Sequence, residues 1–228
     1  MAENARKIGI FGGSFDPVHS GHLILADQLR EAAGLDEVLF IPAYRSPFKL
    51  DSRPADGTHR LAMLRLALEG NDAFRTSDIE LQREGPSYTF DTLVRLEALY
   101  PDCELYFLAG TDTFLELDTW YRGEELLRRF RFLGACRKGW DDARAQEKLQ
   151  EYRDRYDTDV RFFEIPEIGI SSSEVRQRLR DGRSVRYLLP DAVIRYIAEN
   201  GLYRSFLEEL KEYARTHEKP SRFAHTCG

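Results

Sequence analysis

His19 and His22 stand three residues apart in Gly12-Gly13-Ser14-Phe15-Asp16-Pro17-Val18-His19-Ser20-Gly21-His22, directly after the apolar run Lys7–Phe11. Such a run reads as a buried strand, and Ser20 to about Ala33 reads as a helix. A strand, a glycine turn and a helix start make a cradle for anions: free N–H groups and the helix dipole favour negative charge, and glycine admits a ligand close to the backbone. The spacing puts both imidazoles on one face of the first helical turn, within reach of one phosphate chain. Asp16-Pro17 sets the turn between glycines and histidines. The alternative is a plain turn with structural histidines, but the combination favours a ligand site. On that reading both rings face a cleft, and their loss costs activity and little stability. The pattern G-x-G-x-x-G does not fit the stretch, and the Gly-Lys-Ser/Thr end of a Walker loop is missing.

A second grip lies far along the chain, in Ile170-Ser171-Ser172-Ser173-Glu174-Val175-Arg176. Ser171 and Glu174 alone are an ordinary capping box. Three consecutive serines with Arg176 one turn on add hydroxyls and a guanidinium to a helix start, which again suits an anion. Three further stretches stay open on their residues alone. Asp112, in Gly110-Thr111-Asp112, reads by default as a helix cap. Lys49, in the proline-marked Ser46-Pro47-Phe48-Lys49, is by default a surface lysine. Pro86-Ser87-Tyr88-Thr89 is a plausible helix start and Trp120, before Tyr121, a plausible core residue.

The elements that must position these groups alternate. Strands are expected at Lys7–Phe11, Glu37–Pro42, Arg75–Leu81, Glu104–Ala109, Phe130–Cys136 and Val160–Ile165. Helices are expected near Ser20–Ala33, Thr58–Glu69, Thr89–Tyr100, Gly123–Arg129 and Asp142–Tyr156. This pattern predicts an α/β fold, a Rossmann-like doubly wound and mostly parallel sheet with helices on both faces. Ligands of such sheets sit beyond the carboxyl ends of the strands, where Gly12-Gly13, Pro42-Ala43, Gly110-Thr111-Asp112 and Arg137-Lys138 would gather. Helices dominate from Ser171, with Pro190 starting one that runs to Glu199 and Gly201 closing it.

The glycine–histidine stretch resembles the HxGH signature of the nucleotidyltransferase superfamily, and as a full string it is most similar to the bacterial nicotinate-nucleotide adenylyltransferases. The resemblance runs from about Lys7 to Tyr203 through separate motifs in the family's order. It implies adenylyl transfer from ATP to nicotinate mononucleotide, giving nicotinate adenine dinucleotide and pyrophosphate, with Mg²⁺ bound to the ATP. It assigns His19, His22, Lys49 and Arg176 to catalysis on the phosphates. Gly12, Gly13, Ser14, Phe15, Gly110, Asp112, Ile170, Ser171, Ser172 and Ser173 go to ATP, Asp112 through the ribose hydroxyls. Asp16, Thr89, Trp120, Tyr121 and Arg137 go to the mononucleotide. Trp120 stacks on the pyridine ring, and N–H groups near Thr89 and Tyr121 hold its carboxylate. The family usually has Pro-Pro-His-Lys where this chain has Ser46-Pro47-Phe48-Lys49, so the lysine is kept and the residue before it differs. No residue is expected to ligate a metal directly.

Other readings explain less. A phosphopantetheine adenylyltransferase usually has threonine at the His19 position and lacks the Pro-Ser-Tyr-Thr and Trp-Tyr elements. A cytidylyltransferase keeps both histidines but leaves Trp120 without a role. A nicotinamide-preferring enzyme shares the ring-stacking tryptophan, since stacking serves any flat ring. A catalytically inert nucleotide-binding regulator has no need of His19, His22, Lys49 and Arg176 together.

Bulk composition agrees. The 228 residues hold a hydrophobic fraction of 42% and a net charge of −6, which argues against a nucleic-acid binder. The polar N-terminus and the lack of a long apolar run argue against a signal peptide or membrane span. Cys103, Cys136 and Cys227 form no C-x-x-C pair, which suits a reducing cytoplasm. The transferase domain is expected to occupy residues 1–204, followed by a tail over 205–228. Leu207, Leu210 and Ala214 in that tail recur at helical spacing. Its last residues, Arg222-Phe223-Ala224-His225-Thr226, are either a frayed terminus or similar to the opening of an HD-domain phosphohydrolase, the first part of a fused domain. Homodimerisation is compatible with the sequence but not specified by it.

Overall fold

A computed structural model describes residues 5–47, 54–136, 143–166 and 168–204. Six strands form one sheet in the order β3-β2-β1-β4-β5-β6: β1 Arg6–Gly13, β2 Glu37–Pro42, β3 Phe74–Thr76, β4 Cys103–Gly110, β5 Arg131–Cys136 and β6 Val160–Glu164. Every pairing is parallel, so the expected mostly parallel sheet is wholly so among the described residues. The order reverses between β1 and β4, which leaves a crevice above the ends of these two strands.

Both faces are covered, as parallel strands require. Ile8 and Ile10, Leu39 and Ile41, and Leu105 and Phe107 point to one face. There they meet Phe90, Leu93 and Leu96 of α3 (Thr89–Leu99), Leu126 and Leu127 of α5 (Gly123–Arg129), and Leu149 and Tyr152 of α6 (Ala143–Tyr156). The intervening Phe11, Val38, Phe40, Tyr106 and Leu108 point to the other face. Their partners come from α1 (Ser20–Ala33), α2 (Gly57–Leu68), α7 (Ser172–Arg180) and α8 (Asp191–Glu199), through Leu29, Leu64, Val175 and Ile197. The period-2 alternation of each apolar run thus feeds two separate cores. A short α4 (Thr111–Phe114) follows β4 and leads through a 3-10 turn, Leu117–Thr119, to Trp120.

The expected third strand, Arg75–Leu81, is corrected to Phe74–Thr76. Ser77 and Asp78 end it: the Ser77 hydroxyl accepts from the Ile79 N–H at 3.3 Å, and the Asp78 carbonyl from the Gln82 N–H at 3.0 Å. Side-chain acceptors next to the backbone favour a turn over a ladder. That turn carries Glu80 into the protein interior. The expected helix stop is moved by one residue: Asn200 is the C-cap of α8, and Gly201 follows in the left-handed region at φ 62°.

Candidate active site

β1 ends at Gly12-Gly13, and the chain turns through Phe15, whose φ is +46°, and a cis Asp16-Pro17 bond before entering α1. The Phe15 ring folds back over Gly13, where an added Cβ would meet it at 3.2 Å. The glycine therefore makes room for a neighbouring ring as well as for a ligand.

His19 is the N-cap of α1. Its Nδ1 accepts from the His22 N–H at 3.3 Å, and the His22 Nδ1 accepts from the His19 N–H at 3.2 Å. This is a reciprocal capping box made by two imidazoles. The rings stack with centroids 3.6 Å apart. With Nδ1 occupied as an acceptor, each neutral ring carries its proton on Nε2, which is thereby a donor. Burial holds the His19 pKa down to about 4, because a charged imidazolium would be desolvated. His19 is buried and caps α1, so the expectation that its loss bears little on stability is corrected.

Asp16, also buried, is the hub of the turn. Its Oδ1 accepts from the Tyr203 hydroxyl at 2.6 Å and from the Ala55 N–H at 3.1 Å. Burial and the neighbouring Asp16 carboxylate raise the Tyr203 pKa, which keeps the phenol a donor. Arg176 donates to the Asp16 carbonyl at 2.6 Å and lies 3.5 Å from its carboxylate. Ser172 donates its hydroxyl to the Pro17 carbonyl at 2.9 Å. Fully buried Arg60, on α2, donates to the carbonyls of Ser14 and Ala55, each at 2.8 Å.

The second grip therefore docks on the first. Ser171 is the N-cap of α7 and accepts from the Glu174 N–H at 3.1 Å, while Ser173 accepts from Arg176 at 3.2 Å. Ile170 is half-buried beside them. Gly110, not Asp112, stands at the N-cap of α4, so the helix-cap reading of Asp112 does not hold. Lys49, Arg137 and the Asp112 side chain lie outside the described residues.

Beside the cradle, a cavity is walled by Gly12, Ser14, Glu80, Thr89, Phe107 and Trp120. Trp120 meets Phe107 edge-on, with centroids 6.2 Å apart, so it packs on the core and also lines this cavity. A second hollow continues over Tyr88, Thr119 and Tyr121. Tyr121 is 49% exposed and stacks on Tyr88 at 4.3 Å. Tyr88 is the N-cap of α3, and no side chain caps that helix start. Gly123 secures the turn after Trp120: its N–H bonds the Trp120 carbonyl at 2.8 Å, and an added Cβ would lie 2.4 Å from the Leu117 carbonyl oxygen.

Sequence reasoning missed Arg60, Glu80 and Tyr203 as site residues, and named Ser87 only within the Pro86–Thr89 stretch. Neither Arg60 nor Glu80 stands out, since Arg65 shares the helix and Arg75 and Asp78 share the run. Among the described residues no group of three or more His, Cys, Asp or Glu side chains is arranged to hold a metal ion. Nor is any described helix long and apolar enough to cross a membrane.

The cytidylyltransferase-like family model matches residues 10–178. The chain is 47% identical over 198 residues to a probable nicotinate-nucleotide adenylyltransferase of Carboxydothermus hydrogenoformans, covering 87% of this chain and 98% of the relative. It is 40% identical over 200 residues to the nicotinate-nucleotide adenylyltransferase of Bacillus subtilis, covering 88% and 100%. Its fold is similar to that of the Plasmodium falciparum nicotinic acid mononucleotide adenylyltransferase complexed with NaAD, with a TM-score of 0.71 at 23% identity over 87% of this chain and 97% of that one.

Proposed function

The chain belongs to the cytidylyltransferase-like family, and from that premise we propose that it transfers the AMP moiety of ATP to nicotinate mononucleotide, giving nicotinate adenine dinucleotide and pyrophosphate, a step of NAD biosynthesis. The observation that carries this reading is the junction of two sites in one crevice. A cradle with a pair of Nε2–H donors adjoins a cavity walled by Trp120 and the start of α3, a helix that no side chain caps.

The acceptor's phosphate has a second pKa of about 6 and is largely ionised at neutral pH. Its oxygen attacks the α-phosphorus of ATP. One P–O bond forms, the bridge to the β-phosphate breaks, and pyrophosphate leaves with its electron pair. No protein base is needed, and alignment with charge neutralisation supplies the rate. In this scheme His19 and His22 donate from Nε2 to the ATP phosphates, and their capping box fixes the direction of both donors before substrate arrives. Arg176, Lys49 and the serines of α7 add to the phosphate grip. Arg176 does so while its contacts to Asp16 hold α7 against the turn.

The backbone of Gly12, Gly13, Ser14 and Phe15, with Ile170 and Gly110, frames the nucleotide, and Asp112 takes the ribose hydroxyls. A divalent metal arrives with the triphosphate, and we assign it as Mg²⁺, bound as part of the substrate. On the acceptor side Trp120 stacks on the pyridine ring. N–H groups near Thr89 and Tyr121 take its carboxylate, which an amide with one acceptor and added donors would satisfy less well. Asp16 and Arg137 complete the acceptor set. Free Cys103 and Cys136 fit a cytoplasmic setting.

The test offers the purified chain ATP and Mg²⁺ with nicotinate mononucleotide, nicotinamide mononucleotide and phosphopantetheine in parallel. Nicotinate mononucleotide is expected to give the highest kcat/KM. Equal or better use of phosphopantetheine overturns the assignment.

A further inference from the structure

Glu80 is a carboxylate in an unfavourable place. It is 7% exposed in the turn after β3, and it lines the same cavity as Trp120 and Thr89. Thr92 donates its hydroxyl to Oε1 at 2.7 Å, and the Ser87 hydroxyl is its other hydrogen-bonding partner. No direct ion pair neutralises it among the described residues. The cations that act on it are Arg83 and Arg60, and neither makes an ion pair with it. Arg83 faces Asp91 at 3.6 Å, and Arg60 serves the carbonyls of Ser14 and Ala55. Burial raises the Glu80 pKa against the pull of its two hydroxyl partners. A buried carboxyl without a paired cation costs stability, and one kept in a cavity wall points to a ligand that uses it.

The acceptor of the proposed reaction offers such a use, and the inference rests on that reading. Its pyridine nitrogen carries the ribose, so the ring is a quaternary pyridinium with a fixed positive charge. The same molecule bears a carboxylate on the ring. The cavity has a different feature for each charge. The start of α3 suits the carboxylate, the face of Trp120 attracts a cation, and Glu80 places a carboxyl group in the wall that Trp120 shares. We propose that Glu80 is the counter-charge of the pyridinium ring, so that this site selects N-substituted pyridinium cations over nucleotides whose ring is neutral.

The two hydroxyl bonds also tie Glu80 to the Ser87–Thr92 segment, and the Ser87 hydroxyl accepts from the Tyr44 N–H at 3.0 Å. Glu80 could thus be a buttress with no bearing on ring charge, and the experiment separates the two roles. Titration calorimetry on the full chain without ATP measures the affinity for nicotinate mononucleotide and for its 1,4-dihydro form, whose ring is neutral. Wild type is expected to prefer the pyridinium form, and Glu80→Gln to lower that preference about 10-fold or more while changing ATP affinity less than about 2-fold. Equal loss for both ring forms makes Glu80 a buttress and overturns the proposal, as does an unchanged preference. Should Glu80→Gln not fold, Thr92→Val removes one donor to the carboxylate and eases its protonation. The pyridinium preference of that variant should then fall at low pH and recover as pH rises. A preference independent of pH overturns the proposal equally. If wild type binds both ring forms but transfers no AMP, the functional reading fails while the affinity ratio still decides the role of Glu80.

Discussion

In the phosphate cradle, the main chain from Ser14 to Ser20 is held from several directions at once. Arg60 binds the Ser14 carbonyl, Arg176 the Asp16 carbonyl and Ser172 the Pro17 carbonyl, while the Ser20 N–H donates to the Leu188 carbonyl at 2.8 Å. At the acceptor end, Trp120 meets the ring of Phe107 edge-on, Tyr121 is half exposed, and the helix start beside them carries no side-chain cap. On the proposed reading the two ends have different tasks. Neutralising a moving phosphoryl charge requires donors fixed before the reaction begins, since reorganising them would cost part of the barrier they lower. Stacking a flat ring tolerates some play, and a surface that must admit and release a nucleotide gains from it.

This contrast predicts that cradle mutations act on kcat and acceptor-side mutations on KM. The largest effect is expected from His22→Ala, a fall in kcat of about 10²-fold or more, as for loss of one preorganised donor. His19→Ala should match that fall and also destabilise α1 by about 1 kcal/mol, because it removes a helix cap. Steady-state kinetics and thermal melts of the two variants test both parts. Stability lost with activity intact in His19→Ala would reduce the histidine pair to a structural device.

Next in size is Trp120→Ala. Its KM for nicotinate mononucleotide should rise about 10-fold, in line with about 1–1.5 kcal/mol for an aromatic pair, and its KM for ATP should stay within about 2-fold. Wild-type tryptophan fluorescence should change on adding the mononucleotide alone, and the variant should lack that change. An equal rise in both KM values would mean that the mutation loosens the core around Phe107 and not the acceptor site.

The pH dependence of stability sharpens the comparison from the cradle side. The His19 pKa is lowered to about 4 in the fold, against about 6.5 for an unperturbed histidine. Between these values the unfolded chain binds the extra proton, so stability is complete above about pH 6.5 and declines as pH falls toward 4. The decline attributable to His19 is on the order of 2–3 kcal/mol at most. Denaturant melts of wild type and His19→Gln at pH 7 and pH 5 measure it. The gap between the two proteins should narrow at the lower pH, and a constant gap would show that His19 titrates normally.

The regions also differ in how far the sequence discloses them. The strands, the two-sided sheet and the order of the motifs were legible because apolar runs, glycine turns and helix starts are local signals. The third strand departs most from its expected length, since Ile79 and Leu81 continue the apolar pattern of Arg75–Leu81 while Ser77 and Asp78 turn the chain. The histidines were legible as a pair, but the capping box was not, because histidine is an unusual N-cap and its ring nitrogens betray no tautomer in one dimension. Arg60 and Tyr203 were illegible for another reason. Each acts on the cradle from a distant part of the chain, Tyr203 across 187 residues of separation from Asp16, and one of two arginines on a helix, or a tyrosine after the last expected helix of the domain, looks like surface. Glu80 was concealed by the same apolar pattern that lengthened the strand.

The smallest expected effect tests where the cradle's support ends. Tyr203 donates to Asp16 from the edge of the described chain, so the last residues of the proposed domain 1–204 are part of the cradle's frame. Tyr203→Phe keeps the ring and removes one hydrogen bond to a charged acceptor, worth about 1.5–3 kcal/mol to the turn. Part of that loss should reach the reaction as a fall in kcat of a few-fold, with acceptor KM unchanged. Removing residues 205–228 leaves this bond and every other described contact of the cradle in place, so adenylyl transfer should stay within about 2-fold of the full chain. Removing residues 202–228 takes Tyr203 as well and should reproduce at least the Tyr203→Phe loss. Comparing kcat for the two truncations and the point variant gives the answer. A loss already present on removing 205–228 would extend the frame into the tail, and full activity in Tyr203→Phe would show that Ala55 and Arg176 hold Asp16 without it.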